Sequence, residues 1–160
     1  MRVSAVPFLV ASIASLALAP FASAQDQRPG YGPSLNVTTA KKIAAATIAE
    51  CQKNNWNIAV AVVDTAGGLV YFERMEDTQT ASLDIAIMKA KAAATYRRPT
   101  RVWADVISKS GPAVMTLPGV VASPGGVPAF VGGKVTGAVG VSGVTGDQDE
   151  QCAKAGLSGM

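Results

Sequence analysis

Two short apolar runs joined by a glycine-rich turn constrain the fold of this chain more than any other feature. Ile58–Val63 is rich in β-branched residues, and Leu69–Arg74 follows it after the turn Ala66-Gly67-Gly68. This arrangement predicts a β-hairpin. A second hairpin is predicted where Ala129–Val131 and Val135–Val144 flank another pair of glycines. Strands joined by short hairpins favour an antiparallel sheet over a doubly wound parallel one.

Helical patterns lie before and between these hairpins. Apolar residues recur at three- and four-residue spacing over about 38–54 and about 80–97, as they do on the buried face of a helix. Asn36 or Thr38 can cap the first of these helices, and Thr100 can cap a shorter helix over about 101–109.

The rest of the chain predicts a long connection and a last helix. Gly111–Pro128 is rich in glycine and proline, which predicts an irregular connection with short extended pieces. Connections of that length inside a domain are often functional. Asp147 is expected to cap the last helix, with Glu150 three residues on as its capping-box partner.

The N-terminus has the organisation of a secretory signal. Arg2 supplies a positive charge, an apolar run follows, and Ala22-Ser23-Ala24 is a small-x-small cleavage site. Pro7 and Pro20 bound a run that is too short for a membrane anchor. We therefore expect a periplasmic or secreted protein without stable membrane insertion, divided into a signal peptide, a flexible mature N-terminus and a single domain at residues 1–24, 25–34 and 35–160.

The sequence contains no histidine, and this excludes several classes of site. Ser-His-Asp and Cys-His nucleophile systems and imidazole-dependent zinc sites are ruled out, and the commonest haem ligand is absent. The 14 basic and 11 acidic residues do not form the dense basic stripe of a nucleic-acid binder. We therefore assign no catalytic residues, predict no metal site formed by protein side chains alone, and expect no nucleic-acid partner.

A series of short motifs occurs in a fixed order along about residues 35–157. They are Val60–Gly68, Glu73–Met75, Ser82–Ala86, Lys89-Ala90, Pro118-Gly119, Pro124–Pro128, Gly137–Gly143 and Gly146–Cys152. Together they resemble the GlcG/HbpS haem-binding family, also called haem-degrading, to which the C-terminal domain of PduO-type proteins is related. The resemblance covers nearly all of the expected mature chain.

The resemblance implies an α+β fold, a profilin-like α-β-α sandwich whose antiparallel sheet has helices packed on its faces. It implies homo-oligomers, with octamers known in the family. It also implies haem binding in some members, with iron release from haem claimed for the secreted one. Haem ligation in PduO-type relatives looks to depend on a histidine, which this chain lacks.

Without histidine, haem iron would need another side chain. The tyrosines and methionines able to reach it are Tyr71, Met75, Tyr96 and Met115. The cations available to haem propionates are Arg74, Lys89, Arg97 and Arg98. Each of these residues also has a plainer interpretation, as a packing residue, a helix-end charge or a solvent-facing side chain.

Six residues form the candidate cofactor-binding set, and they lie at a predicted strand end, on a predicted helix and in a predicted loop. Its members are Arg74, Met75, Lys89, Tyr96, Gly125 and Gly126. Arg74 and Met75 end a predicted strand, where binding groups are common. Lys89 lies on an otherwise apolar helix, with Asp84 only a loose partner. Gly125 and Gly126 either let a ligand approach the backbone or form a tight structural turn.

Cys51 and Cys152 lie on the first and last predicted helices, where they form either a disulfide or two buried thiols. Three functions remain open at this point. The first is an exported, oligomeric protein that binds haem or a related tetrapyrrole, with at most weak haem-degrading activity. The second is a protein or enzyme for a small organic acid or aldehyde of glycolate- or diol-type metabolism. The third is a sensory or structural protein that partners a membrane sensor.

Overall fold

The computed structural model describes residues 28–160, so the predicted signal peptide at 1–24 lies outside the described residues. Four strands form one antiparallel sheet in the order β2-β1-β4-β3. The elements in chain order are α1 (Val37–Lys53), β1 (Ala59–Val63), β2 (Leu69–Arg74), α2 (Ser82–Tyr96), α3 (Arg101–Ser110), a 3-10 turn (Pro112–Thr116), β3 (Gly126–Val131), β4 (Lys134–Ser142) and α4 (Gly146–Leu157).

Helices cover both faces of the sheet. On β1, Val60 and Val62 pack with α1 and α4, whereas Ala59, Ala61 and Val63 pack against the alanine-rich α2. Because both faces are covered, every residue of β1 is buried, which accounts for its unbroken apolar run. The predicted α-β-α sandwich with an antiparallel sheet is confirmed.

Most predicted element boundaries agree with the structure to within two residues, but three local predictions are wrong. Thr100 directly precedes α3, but its hydroxyl donates to the Ser123 carbonyl and does not cap the helix. Thr145 caps α4 and forms the capping box with Gln148, in place of the predicted Asp147 and Glu150. The predicted irregular connection ends early, because β3 already begins at Gly126. Asn36 does cap α1, its side chain accepting a hydrogen bond from the Thr39 amide.

Cys51 and Cys152 form a disulfide between α1 and α4, with their Cα atoms 5.6 Å apart. The bond closes a loop of 101 residues and joins two helices on the same face of the sheet. In the chain-entropy description such a loop closure stabilises the fold by about 4–5 kcal/mol.

The part of the predicted flexible N-terminus that the structure describes makes specific contacts. Tyr31 pairs with Val135 of β4, and its hydroxyl donates to the Thr95 carbonyl of α2. Arg97 donates to the Pro29 carbonyl and stacks over the Tyr31 ring. These contacts place residues 29–31 against β4 and the end of α2. Across the described residues, no helix is long and apolar enough to cross a membrane.

Candidate functional site

Lys89 is buried at the centre of the molecule rather than facing solvent. Its side chain is 1% exposed, and Nζ donates to Asp149 Oδ2 at 2.7 Å and to the Val141 carbonyl at 3.0 Å. Lys89 comes from α2 and Asp149 from α4, which cover opposite faces of the sheet. The ion pair therefore connects the two helical layers, and the partner is Asp149 rather than Asp84.

Two glycines make room for this ion pair. A Cβ atom at Gly125 would lie 2.9 Å from Lys89 Nζ and 2.7 Å from the Val141 carbonyl oxygen, and the backbone there has φ +124°. A Cβ at Gly126 would lie 2.3 Å from the Lys89 carbonyl oxygen. Neither position tolerates a side chain, because the space is filled by protein. We call Lys89, Gly125, Gly126, Val141 and Asp149 the closed junction.

Burial shapes the electrostatics of the closed junction. Removal from water raises the pKa of the Asp149 carboxyl above its ordinary value, and the bond from Lys89 opposes that rise. The Val144 amide donates to the other carboxylate oxygen of Asp149 at 3.2 Å. All these partners lie within the protein, so the closed junction holds two elements together rather than presenting a charge to a ligand.

Arg74 and Met75 lie in a different place, at the end of β2. They border an open cavity of about 510 Å³, which we call the acidic cavity, lined by Ile48, Gln52, Asn57, Glu73, Arg74, Met75, Glu76 and Asp77. Three carboxylates face one guanidinium there, so the lining is net negative. Met75 also packs against the core formed by α1 and the sheet.

Tyr96 belongs to a third group, at the C-terminal end of α2. Its ring meets Trp103 edge-on at 5.0 Å, and its hydroxyl donates to the Pro118 carbonyl at 2.7 Å. Arg98 lies over the Trp103 ring at 5.0 Å. Met115 precedes Pro118 in the same connection.

We call this third group the aromatic face. Its members are Tyr96, Arg98, Trp103, Met115, Leu117 and Pro118. Met115 is 48% exposed and Leu117 is 44% exposed, so the connection that Tyr96 reaches through Pro118 keeps apolar surface open to solvent.

Ion pairs join α3, which carries Trp103 of the aromatic face, to α4. Arg101, at the start of α3, bonds Asp147 and also Glu150, the latter at 2.5 Å. Glu150 is buried and also pairs with Lys154. Sequence reasoning missed Arg101, Trp103 and Asp149, because Arg101 and Asp149 meet partners that are 49 and 60 residues away and nothing near Trp103 in the sequence marks it. In the stretch from 28 onward, no group of histidine, cysteine and acidic residues could hold a metal ion.

The candidate set is thus divided among three places. Lys89, Gly125 and Gly126 come together in the closed junction, Arg74 and Met75 border the acidic cavity, and Tyr96 lies on the aromatic face. Because the lining of the acidic cavity includes none of the other four candidates, the structure does not form one site from all six.

Comparison with known proteins places this arrangement in a family. Protein GlcG of Escherichia coli strain K12 is 42% identical over 108 residues, which are 68% of this chain and 81% of that protein. A solved double mutant of Streptomyces reticuli HbpS superposes with a TM-score of 0.75 at 27% identity, covering 98% of this chain and 99% of that one. The PduOC:heme complex has a TM-score of 0.73 at 23% identity, covering 79% and 95%, and shows the likeness of fold alone.

A family model agrees with these relatives. The model described as "Haem degrading protein HbpS-like" matches residues 35–158, which include every helix and strand described above. The chain therefore belongs to the HbpS-like family.

Proposed function

We propose that this protein binds haem or a related tetrapyrrole on the aromatic face, as an exported homo-oligomer with at most weak haem-degrading activity. The observation that carries the proposal is the exposed apolar surface of Met115 and Leu117, in the connection that Tyr96 reaches through its bond to Pro118, together with the edge-on rings of Tyr96 and Trp103. A porphyrin is a large flat apolar ligand, and aromatic and apolar side chains are what such ligands need in a binding site. Membership of the HbpS-like family supports the class of ligand.

The side chains at the aromatic face fit the parts of a haem. The Tyr96 phenol and the Met115 thioether belong to the two kinds of group that ligate haem iron in the absence of histidine and cysteine. Arg98 lies over the Trp103 ring and suits a propionate, since guanidinium and carboxylate form strong paired hydrogen bonds, whereas Arg97 is bonded to the Pro29 carbonyl and stacked over Tyr31. Tyr96 already donates to the Pro118 carbonyl, so its lone pairs stay available.

The other two places fit a haem less well. The acidic cavity has the thioether of Met75, but its three carboxylates would repel the propionates. Lys89 would have to leave Asp149 without its cation in order to reach a propionate, which is costly for a carboxylate that is 2% exposed. Arg74 and Met75 therefore form a second-choice haem site, and Lys89, Gly125 and Gly126 support the fold around the ligand.

Haem would supply the redox chemistry of its own iron when bound. The chain's contribution is to bind and orient the ring, because none of its described residues forms a nucleophile–base pair next to the aromatic face. Slow haem breakdown would then be a property of the bound iron rather than of dedicated catalytic residues.

Export and oligomerisation complete the proposal. The sequence of residues 1–24 has the pattern of a cleaved signal, and the disulfide between Cys51 and Cys152 suits an oxidising compartment. Leu83 and Met88 of α2 are exposed apolar residues that suit contact with another copy. A membrane sensor is the alternative partner for that surface.

A haem titration followed by absorption tests the proposal. We expect a saturable Soret band that is shifted from that of free haem, at about one haem per chain or per dimer, and a further shift in Met115→Leu or Tyr96→Phe. Met75→Leu is the matched control and should leave the band unchanged. A non-saturating, featureless response would refute haem binding, and a shift confined to Met75→Leu would move the site to the acidic cavity.

A further inference from the structure

We propose a second ligand site, for an apolar carboxylate of the fatty-acid type, in a groove beside the first turns of α1. The groove consists of two adjoining cavities of about 500 Å³ and about 250 Å³, which share Thr39, Val131 and Met160. We call it the α1 groove. It is independent of the aromatic face and of the haem proposal.

One face of α1 forms a wall of the α1 groove. Thr39, Lys42, Ile43 and Ala46 line it, at the three- and four-residue spacing that puts side chains on one side of a helix. Val131, at the end of β3, forms the opposite wall and is 58% exposed. The combined size falls within the range of small-molecule pockets, about 300–1,000 Å³.

Glycines line the groove where α1 meets the end of α4. Gly156 and Gly159 line the larger cavity, and neither contributes a side chain to fill it. A Cβ at Gly156 would collide with Thr47 Oγ1, so the close packing of the two helices fixes a glycine there. The walls that remain are mainly apolar, which suits a hydrocarbon chain.

The charged side chains of the α1 groove are both lysines, which favours an anionic ligand. Lys42 lies on the wall of the larger cavity and Lys134 on the wall of the smaller one. No aspartate or glutamate side chain is among the lining residues of either cavity, and neither lysine forms an ion pair with a described carboxylate. Two cations above an apolar wall are complementary to an anionic head on an apolar chain.

Calorimetric titration with octanoate tests this site, with acetate and octanol as probes of the head and the chain alone. We expect saturable binding of octanoate only. Lys42→Gln combined with Lys134→Gln should weaken octanoate binding about tenfold. Lys41→Gln is the matched control. Lys41 immediately precedes Lys42 on α1, but it lies over the Tyr71 ring, outside the groove. It should leave octanoate affinity unchanged.

Amide NMR shifts on the same samples locate the bound octanoate. Shifts concentrated at residues 39–46 and 131–134, and their loss in Ala46→Trp, would support the site. Octanol binding as tightly as octanoate would overturn the anion selection. Shifts elsewhere, or a change of sedimentation in the double lysine variant without a change in octanoate affinity, would overturn the proposal and assign the groove to contact between copies of this chain.

Discussion

The closed junction and the aromatic face both take a key side chain from α2, but they use it in opposite ways. Lys89 is buried and paired with Asp149, whereas Tyr96, two turns further along, stands half-buried beside exposed apolar side chains. In the closed junction, the charged groups of Lys89 and Asp149 bond other atoms of the protein. On the aromatic face, apolar side chains remain exposed to solvent. The comparison teaches that a family motif can mark a residue that builds the fold as readily as one that binds the ligand.

Removing the cation of the closed junction should have the largest effect on stability. Lys89→Met leaves the buried Asp149 carboxylate without its partner, and we expect a loss of about 3–5 kcal/mol in the free energy of unfolding. Urea denaturation measures it. Lys91→Met, two residues on along the same helix but exposed, should change stability by less than about 0.5 kcal/mol. Equal losses of stability in the two variants would mean that pairing Lys89 with Asp149 contributes no more than an exposed lysine does.

Filling the space around Lys89 should have the next largest effect. In Gly126→Ala the new Cβ meets the Lys89 carbonyl at 2.3 Å, so backbone must move, and we expect a loss of about 1–3 kcal/mol. Thermal unfolding compares it with Gly30→Ala, where nothing lies within 4 Å. A Gly126→Ala protein as stable as the wild type would show that the junction is loose enough to admit a ligand.

Removing the hydroxyl of Tyr96 should cost less, because that group is half-buried. Tyr96→Phe loses the bond to the Pro118 carbonyl, and we expect about 0.5–1.5 kcal/mol. The same denaturation experiment applies, with Tyr71→Phe as the control, whose hydroxyl donates to the exposed Glu73. A loss from Tyr96→Phe as large as that from Lys89→Met would contradict the contrast between the two places.

The pH dependence of Asp149 sharpens the description of the closed junction. Burial raises the pKa of this carboxyl above its ordinary value of 3.8, so the folded state holds the proton more tightly than the unfolded state. Its contribution to stability is therefore greatest below that value and is lost as pH rises through the raised pKa. The free energy of unfolding of the wild type, minus that of Asp149→Asn, should fall over this window. A difference that rises with pH would mean that Lys89 outweighs burial.

The sheet could be predicted from local sequence, whereas the closed junction could not. The strand Leu69–Arg74 agrees with its prediction residue for residue, because its apolar and aromatic side chains and the preceding glycine turn act over a few neighbours. Lys89 and Asp149 are 60 residues apart and meet only because three layers have assembled. A lysine on an alanine-rich helix carries no local sign of a buried partner, and Lys91 on the same helix is exposed.

The capping error at α4 has the same cause. Asp147 and Glu150 have the right spacing for a capping box, but both carboxylates bond Arg101 of α3, and Thr145 with Gln148 caps the helix instead. The aromatic face was only partly predictable, since Tyr96 and Met115 were candidates while Trp103 was not. Which apolar side chains stay exposed depends on how α3 and the 3-10 turn fold over the end of α2.

Hydrogen exchange with and without haem tests the central claim most directly, because it reports where the ligand binds. We predict protection of backbone amides over residues 96–120, with amides 73–77 and 125–126 unchanged. The same measurement with octanoate should protect residues 39–46 instead. Haem-dependent protection at 73–77 alone, or at none of these segments, would contradict the assignment of the ligand to the aromatic face.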